Sequence, residues 1–335
     1  MGEGDSSMRR YRHIQAMTVA LTVGGCDEAV VGFEDVTGGE EARLRALHDN
    51  GVELNGTRFN GTRFNGAWFN GARLISASIS DGLAKSNLSD WSLVPGTSML
   101  QAYDVKGVWY RGADLAGARL QWLVDDGGNE PAAVQLSIVD VTQSADRPDI
   151  YFTDVDVRID EGKWDSLCSD GEGDPTSAIV VPGYFDSVTA DWRPDEHGEI
   201  AFACRGTAAG KCLEWGYRMW AEHGGLSLAD HYRACTRMVR ADYCGNNVTH
   251  TENGTPIDVS DGLSPAILAP ETDWQIEAKW GPHGAVCLNQ PRKLAHTRAA
   301  VIAECEAAGR GTLPPCADDD PGEHGGLLIS QAEPS

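Results

Sequence analysis

Cysteine is the residue type whose chemistry is most informative in this chain. Nine cysteines are present, and none of them forms the Cys-x-x-Cys spacing of a structural zinc site. With Cys26 set aside, an even number remains, namely Cys168, Cys204, Cys212, Cys235, Cys244, Cys287, Cys305 and Cys316. An even set favours disulfides when the chain is exported. We therefore predict that these eight cysteines form disulfides, and the sequence leaves their pairing open.

A catalytic thiol is the alternative interpretation of the same residues. His231 lies one helical turn before Cys235, and a base beside an unpaired sulfur could generate a thiolate nucleophile. With Asp242 and Cys244 close behind, a secreted hydrolase or thiol-dependent enzyme centred on these four residues is the rival hypothesis. The interpretation we prefer makes the cysteines disulfide partners, His231 a hydrogen-bonded packing residue and Asp242 an ion-pair partner of nearby arginines.

Alternating carboxylates at Asp170, Glu172 and Asp174 could converge on one calcium ion. The EF-hand pattern stops there, because Pro175 stands in place of its glycine and Val181 in place of its bidentate glutamate. These carboxylates are the calcium candidates of the chain, although the interpretation we prefer assigns no metal to them. The sequence also lacks a nucleophile elbow, a Walker loop and a dinucleotide fingerprint, so we predict no cofactor.

The first 25 residues have the order of an export signal. Arg9, Arg10 and Arg12 precede a modestly apolar stretch over residues 14–23, and small residues then lead to Cys26. This order resembles the bacterial lipoprotein signal, in which a peptidase cuts before a cysteine that carries a diacylglycerol. The resemblance implies lipidation of Cys26 and a membrane partner held through that lipid. The alternative is an ordinary cleaved or cytosolic N-terminus with an incidental cysteine.

The formal net charge is −23, and no basic run follows the N-terminal segment. A nucleic-acid-binding protein needs a basic surface that neutralises phosphates, so we expect no nucleic-acid partner. We attribute the acidic composition to solubility. No other stretch approaches the roughly 20 apolar residues that span a bilayer.

Large apolar residues recur at every fifth position near the start of the chain. They are Leu54, Phe59, Phe64, Phe69 and Leu74. A small residue lies two places before each of the last four, and residues 112–120 repeat this pattern. The spacing resembles the pentapeptide-repeat family, whose large and small side chains point into a right-handed β-helix. The run amounts to little more than one coil, so we expect either a short β-solenoid packed on the main body or plain β-turns at the Asn-Gly steps.

From residue 132 onward, apolar residues alternate as they do in strands. Predicted strands cover 134–141, 150–159, 178–181 and 200–204, with a hairpin from 274–280 and 285–288. Predicted helices cover 208–217, 227–240 and 297–305. Ser227 followed by Asp230 forms a near capping box for the second helix. The chain is therefore predicted to be α+β, mainly β, with two or three helices.

The end of the second helix carries a family signature, Ala241-Asp242-Tyr243-Cys244. Supporting motifs are Phe202-Ala-Cys204-Arg-Gly, Lys211-Cys212, Trp215-Gly-Tyr217-Arg-Met-Trp220, His231-Tyr-Arg-Ala-Cys235, Thr251-Glu-Asn-Gly-Thr255, Ile257-Asp-Val and Glu277-Ala-Lys-Trp280. Together they resemble the ADYC-domain family over about residues 132–316, and members often have similar pentads upstream. The resemblance implies a bacterial extracytoplasmic protein from a family without an established activity.

The predicted organisation is a signal peptide over 1–25, a polar spacer over 26–50, a pentapeptide-like region over 51–124, a disulfide-stapled ADYC domain over 132–316 and a disordered tail over 317–335. We expect an exported lipoprotein, periplasmic or at the cell surface, that acts as a structural or binding module. Its ligand would be an unidentified component of the envelope or the exterior. Aromatic residues around the signature are either a binding platform or part of the core.

Overall fold

The computed structural model describes residues 48–49, 73–80, 85–124, 132–159, 162–169, 174–186, 189–194, 200–293, 295–317 and 319–333. Within these ranges the chain forms 21 strands and three α-helices. In chain order the strands are β1 (His48–Asp49), β2 (Arg73–Ser80), β3 (Lys85–Leu93), β4 (Leu100–Asp104), β5 (Trp109–Arg111), β6 (Arg119–Val124), β7 (Ala132–Gln143), β8 (Tyr151–Ile159), β9 (Asp165–Ser166), β10 (Cys168–Ser169), β11 (Pro175–Thr176), β12 (Ala178–Pro182), β13 (Tyr184–Phe185), β14 (Trp192–Arg193), β15 (Ile200–Cys204), β16 (Glu222–His223), β17 (Leu226–Ser227), β18 (Pro256–Asp261), β19 (Gln275–Gly281), β20 (Gly284–Leu288) and β21 (Leu328–Ala332). The helices are α1 (Ala208–Trp215), α2 (Ala229–Arg240) and α3 (Arg298–Ala307).

Ten strands form one antiparallel sheet that curls around a common core. Its order is β15-β12-β8-β7-β6-β2-β3-β4-β5, and β9 adds to β8. Leu136 and Ile138 of β7 and Val155 and Val157 of β8 are all buried on the inner face. Because successive side chains of a strand point to opposite faces, this alternation closes one side of the sheet over the core and leaves the other polar.

A five-stranded antiparallel sheet and the three helices build a second core. The order of this sheet is β1-β18-β21-β19-β20. Tyr232 and Met238 of α2 pack there with Leu213 of α1, Trp280 of β19 and Leu328 of β21. All five residues are buried, and together they place α2 between α1 and the five-stranded sheet.

Strand β12 connects the two cores. Ile179 and Val181 contribute to the helical core, whereas Ala178 and Val180 contribute to the core of the large sheet. A strand that is buried on both faces needs a continuous apolar run rather than an alternating one. The Ala-Ile-Val-Val sequence of β12 satisfies that need.

All eight cysteines of the body are paired, which confirms the predicted disulfides. The bonds are Cys168–Cys204, Cys212–Cys235, Cys244–Cys305 and Cys287–Cys316. The bonds join residues that are 23 to 61 positions apart in the sequence. Each bond is expected to stabilise the folded protein by about 3 to 4 kcal/mol, because it lowers the conformational entropy of the unfolded chain. Each helix takes part in one of these bonds: one bond joins α1 to α2, and another joins α3 to the loop that follows α2.

The predicted fold class is confirmed, and the helices differ from prediction only at their ends. Helix α1 stops at Trp215 because Gly216 adopts a left-handed φ of +119°. Helix α2 begins at Ala229 with Leu228 as its N-cap, and no side chain caps it. The predicted capping box is therefore wrong, since the Ser227 hydroxyl accepts only from the Ala229 amide at 3.3 Å.

The predicted disordered tail over 317–335 is also wrong. Strand β21 lies in the five-stranded sheet between β18 and β19 and pairs with both. Leu328 and Ile329 are almost fully buried. The Pro-, Asp- and Gly-rich composition before this strand led to the prediction of disorder. The short apolar run of the strand is ordered because it pairs with β18 and β19, which are distant in sequence.

The predicted boundary between residues 124 and 132 does not separate two bodies. Strands β2 to β6 belong to the same sheet as β7 and β8. Residues 112–120, predicted as a pentapeptide-like run, form a 3-10 turn over Gly112–Leu115 and the start of β6. Because β6 pairs antiparallel with β2 and β7, this segment is no β-helix coil, whose strands would stack in parallel. Residues 51–72 and most of the predicted spacer lie outside the described residues.

Replacing Leu328 with alanine tests the role of the C-terminal strand. Leu328 has no exposed surface, so we expect Leu328→Ala to lower the free energy of unfolding by about 3 kcal/mol through lost burial and a residual cavity. Urea denaturation followed by far-UV circular dichroism measures this change. Glu333→Ala, just beyond the strand, is the control and should change stability little. Equal stabilities of the two variants would contradict the placement of β21.

Candidate functional site

The signature begins where α2 ends. Ala241 adopts a left-handed conformation with φ +49° and donates its backbone amide toward the carbonyls of Arg237 and Met238. This turn ends the helix and reverses the chain. Ala241 is fully buried, so a small side chain is required at this strained position.

Asp242 lies in a buried ion cluster directly after this turn. Its carboxylate pairs with the Arg237 guanidinium and lies 3.7 Å from Nη1 of Arg240. The same carboxylate accepts the backbone amides of Asn246 and Asn247, each at 3.1 Å. Burial lowers the pKa of Arg240 to about 10, although the neighbouring carboxylate opposes that shift. The Asp242 side chain is therefore used almost entirely within the protein.

A second carboxylate balances the charge of this cluster. Asp191, which directly precedes β14, pairs with the other terminal nitrogen of Arg237. Two arginines from the last turn of α2 thus face two aspartates, and the four formal charges sum to zero. Since buried charges are tolerated only when they are paired, this balance is a condition for burying the cluster.

Tyr243 occupies a buried polar pocket against the five-stranded sheet. Its hydroxyl donates to Oε1 of Glu277 at 2.5 Å and accepts the backbone amide of Arg292 at 3.2 Å. Arg292 also donates from Nε to the same Glu277 oxygen at 2.8 Å. Burial, followed by the charge of Glu277, raises the pKa of Tyr243 well above its usual value. The ring stacks on Trp280 with centroids 5.2 Å apart.

Cys244 and the following glycine hold the signature against its neighbours. Cys244 is bonded to Cys305 of α3. Gly245 has φ +63°, and a Cβ added there would lie 1.9 Å from the carbonyl oxygen of His283. The Tyr243 carbonyl accepts the Ala285 amide at 2.8 Å, so the signature packs directly on the turn between β19 and β20. Only glycine fits at residue 245 because of this close approach.

His231 and Cys235 do not form a catalytic pair. Cys235 is bonded to Cys212 of α1, and Cys244 is also in a disulfide, so neither sulfur is the free thiol that the rival hypothesis requires. His231 is buried at the start of α2, where its ring stacks on Tyr217. Asp242 follows the other end of the helix, about 16 Å away along the axis at the usual rise per residue. The structure therefore separates His231 from Asp242 and places both cysteines in disulfides, which contradicts the free thiol of the thiol-dependent alternative.

His250 is a site residue that the sequence did not reveal. Its Nδ1 lies 3.1 Å from the Ala241 carbonyl, and its Nε2 lies 3.0 Å from a carboxylate oxygen of Glu304. The histidine thereby joins the signature to α3, beside the disulfide that joins the same two elements. Asp191 and Glu304 were missed because no local pattern indicates a partner so far along the chain.

The remaining predicted site residues lie elsewhere or outside the described residues. Asp170, Glu172 and Cys26 are outside, and Asp174 is exposed just before β11. Across the described ranges, no group of three or more His, Cys, Asp or Glu side chains is arranged to hold a metal ion. In the same part of the chain, no helix has the length and apolarity needed to cross a bilayer.

Comparison with known proteins confirms both sequence resemblances. A family model described as the ADYC domain matches residues 112–294, and a model described as pentapeptide repeats matches eight copies over residues 40–81. The first match includes the 112–120 segment that we had predicted as a repeat, and the second begins inside the predicted spacer. No curated protein and no solved structure matches the chain.

Replacing Asp242 with asparagine tests the ion cluster. The variant would leave Arg240 and one side of Arg237 buried without a carboxylate, so we expect the free energy of unfolding to fall by about 3 kcal/mol or more. Asp230→Asn is the matched control, because Asp230 is 57% exposed and pairs with Arg233 at the surface. Its cost should stay below about 1 kcal/mol. Similar urea midpoints for the two variants would refute the structural role of Asp242.

Replacing His231 with glutamine tests the environment at the other end of α2. Burial lowers the pKa of His231 below its usual 6.5, and Asp261 and Asp230 oppose the shift. The unfolded chain therefore binds a proton near pH 6 that the folded chain does not, so His231 makes stability fall as pH drops below about 6.5. Urea denaturation between pH 7.5 and 5 should show a shallower loss in His231→Gln. Equal slopes in His231→Gln and the wild type would contradict the assignment.

Proposed function

Because this chain belongs to the ADYC-domain family, we propose that it is an exported structural or binding module, anchored to the cell-envelope membrane through a lipid on Cys26. The ligand of the module would be a component of the envelope or the exterior. Three observations support the proposal: the family to which the chain belongs, the pairing of its cysteines, and the burial of the signature residues.

The pairing of the eight body cysteines is the observation that carries the proposal. Four disulfides in one body are typical of a protein that folds in an oxidising compartment. Nine cysteines are present, so Cys26 is the one that these bonds do not use. It directly follows a basic and then apolar segment that ends in Val23-Gly24-Gly25. In a lipoprotein signal, the cysteine at this position carries the lipid.

The chemistry of the signature supports a module rather than an enzyme. A catalytic carboxylate or thiolate needs a lone pair that a substrate can reach. Asp242 has no exposed surface, and its oxygens accept from a guanidinium and two backbone amides. Tyr243 and both cysteines near it are likewise buried and engaged inside the protein. The residues that define the family therefore support a rigid body, and recognition belongs to its surface.

Labelling cells with radioactive palmitate tests the anchor. We expect wild type to incorporate label and to enter the detergent phase on Triton X-114 partition, because an acyl group on Cys26 supplies the apolar area that holds the protein to lipid. Cys26→Ser should lose both properties. Gly25→Ala is the matched control, since it keeps a small residue before the cysteine, and it should behave as wild type. An unlabelled wild-type protein would refute the anchor.

Measuring intact mass after thiol alkylation, in the same preparations, distinguishes the module hypothesis from the thiol-enzyme hypothesis. Before reduction we expect no alkylated cysteine, and after reduction we expect eight, which equals the number of paired cysteines. One or more alkylated cysteines before reduction would show a free thiol and would favour the enzyme hypothesis.

A further inference from the structure

The turn between β4 and β5 presents an apolar tip to solvent. Val105 is 79% exposed, Val108 is 50% exposed and Trp109 is 46% exposed. The three side chains lie within five consecutive residues, whereas the other large apolar residues with high exposure are isolated along the described chain. Trp109 is also the only tryptophan among these exposed residues, since Trp215 near the signature is buried. Trp215, Tyr217 and Tyr243 around the signature are buried, so these aromatic residues are part of the core, the second of the two alternatives given for them.

The conformation of this tip is fixed from inside. The buried Asp104 carboxylate accepts the backbone amides of Lys106 and Val108 at 2.8 and 2.9 Å. The Asp104 carbonyl accepts the Gly107 amide at 2.9 Å, and the Val108 carbonyl accepts the Asp104 amide at 3.0 Å. A turn held by four such bonds keeps its exposed valines in place, so little conformational entropy is lost when the tip meets a partner.

Aromatic and cationic groups flank the apolar tip. Trp109 lies across from Tyr103 with ring centroids 4.8 Å apart, and the Arg111 guanidinium lies 4.9 Å from the centroid of the Trp109 ring. Lys106 is exposed at the tip itself. Within the part of the chain that the structure describes, neither Lys106 nor Arg111 forms a salt bridge, and the one acid of the turn, Asp104, is buried.

This local charge is opposite to that of the molecule. The chain has 50 acidic and 27 basic residues, yet residues 104–111 contain two exposed cations and one acid, the buried Asp104, and the next acid along the chain is the exposed Asp114. An anionic surface would repel most of such a protein and attract this hairpin. Valine side chains, an interfacial tryptophan and flanking basic residues are the combination that suits the boundary between lipid headgroups and acyl chains.

We propose that the β4–β5 hairpin tip, residues 104–111, contacts the surface of an anionic lipid membrane, with Val105, Val108 and Trp109 entering the headgroup region. The proposal deepens the proposed function, since a lipid on Cys26 would hold the hairpin near a bilayer. The contact would also orient the body, because its acidic remainder is kept away from the anionic surface.

Fluorescence quenching on tethered vesicles tests the contact without depending on lipidation. The chain from Asp27 onward, with oxidised disulfides and a hexahistidine tag in place of Cys26, is bound to vesicles that contain a nickel-chelating lipid. The vesicles are made of phosphatidylcholine and phosphatidylglycerol with brominated acyl chains. The emission of Trp109 is obtained as the difference between wild type and Trp109→Phe. We expect brominated lipid to quench this difference about twofold, because interfacial side chains reach the acyl boundary.

Two double variants and one control make the result specific. Val105→Asp with Val108→Asp should abolish the quenching, whereas Leu226→Asp, which alters an equally exposed residue on the β16–β17 hairpin, should preserve it. Lys106→Glu with Arg111→Glu should remove the difference between vesicles with and without phosphatidylglycerol. Each variant must show, like the wild type, no alkylated cysteine before reduction and eight after it.

Three results would overturn the proposal. They are an unquenched Trp109, equal quenching in the valine double variant and the wild type, and a Trp109 emission that ignores vesicles but changes with added cell-wall saccharide. Because the tag replaces the lipid, these outcomes bear on the hairpin alone. The palmitate experiment on Cys26 decides the anchor separately.

Discussion

The carboxylate of Asp242 is the interaction on which the helical half of the molecule depends. Two arginine cations in the last turn of α2 are buried, and they can remain so only beside anions. Asp242 supplies one anion directly after the helix, and the remaining hydrogen-bonding capacity of its oxygens goes to the amides of the next loop. That loop delivers Cys244 to Cys305 and Gly245 to the turn of the β19–β20 hairpin. Helix, loop, α3 and sheet are therefore positioned by one buried charge cluster.

The covalent bonds act on a framework that these polar contacts already define. Helix α2 is bonded to α1 through Cys235, and the loop after it is bonded to α3 through Cys244. The Tyr243 hydroxyl and the Glu277–Arg292 pair connect the same loop to the five-stranded sheet. Disulfides mainly restrict the unfolded chain, whereas the ion cluster fixes the native geometry. The helical core therefore depends on both kinds of contact, the disulfides for stability and the ion cluster for the native geometry.

Local patterns predicted the elements that carry their own periodicity. The apolar alternation over 150–159 became β8, and the run from Ile200 to Cys204 became β15 with the predicted ends. The parity of the cysteines predicted disulfides but not their partners, because pairing is decided by contacts between distant segments. The same limit hid β21, whose apolar run acquires its meaning only between β18 and β19. Asp191 escaped prediction for that reason too, since nothing near it in sequence marks it as a partner of Arg237.

The inward direction of the signature explains why recognising the family does not identify a ligand. The Asp242 carboxylate accepts from the Arg237 guanidinium and two backbone amides, the Arg240 guanidinium lies 3.7 Å away, and the side chain has no exposed surface. A carboxylate engaged in this way inside the fold is closed to an external group. The binding role that we propose would therefore depend on exposed segments such as the β4–β5 hairpin, whose charge and apolarity depart from those of the surrounding surface.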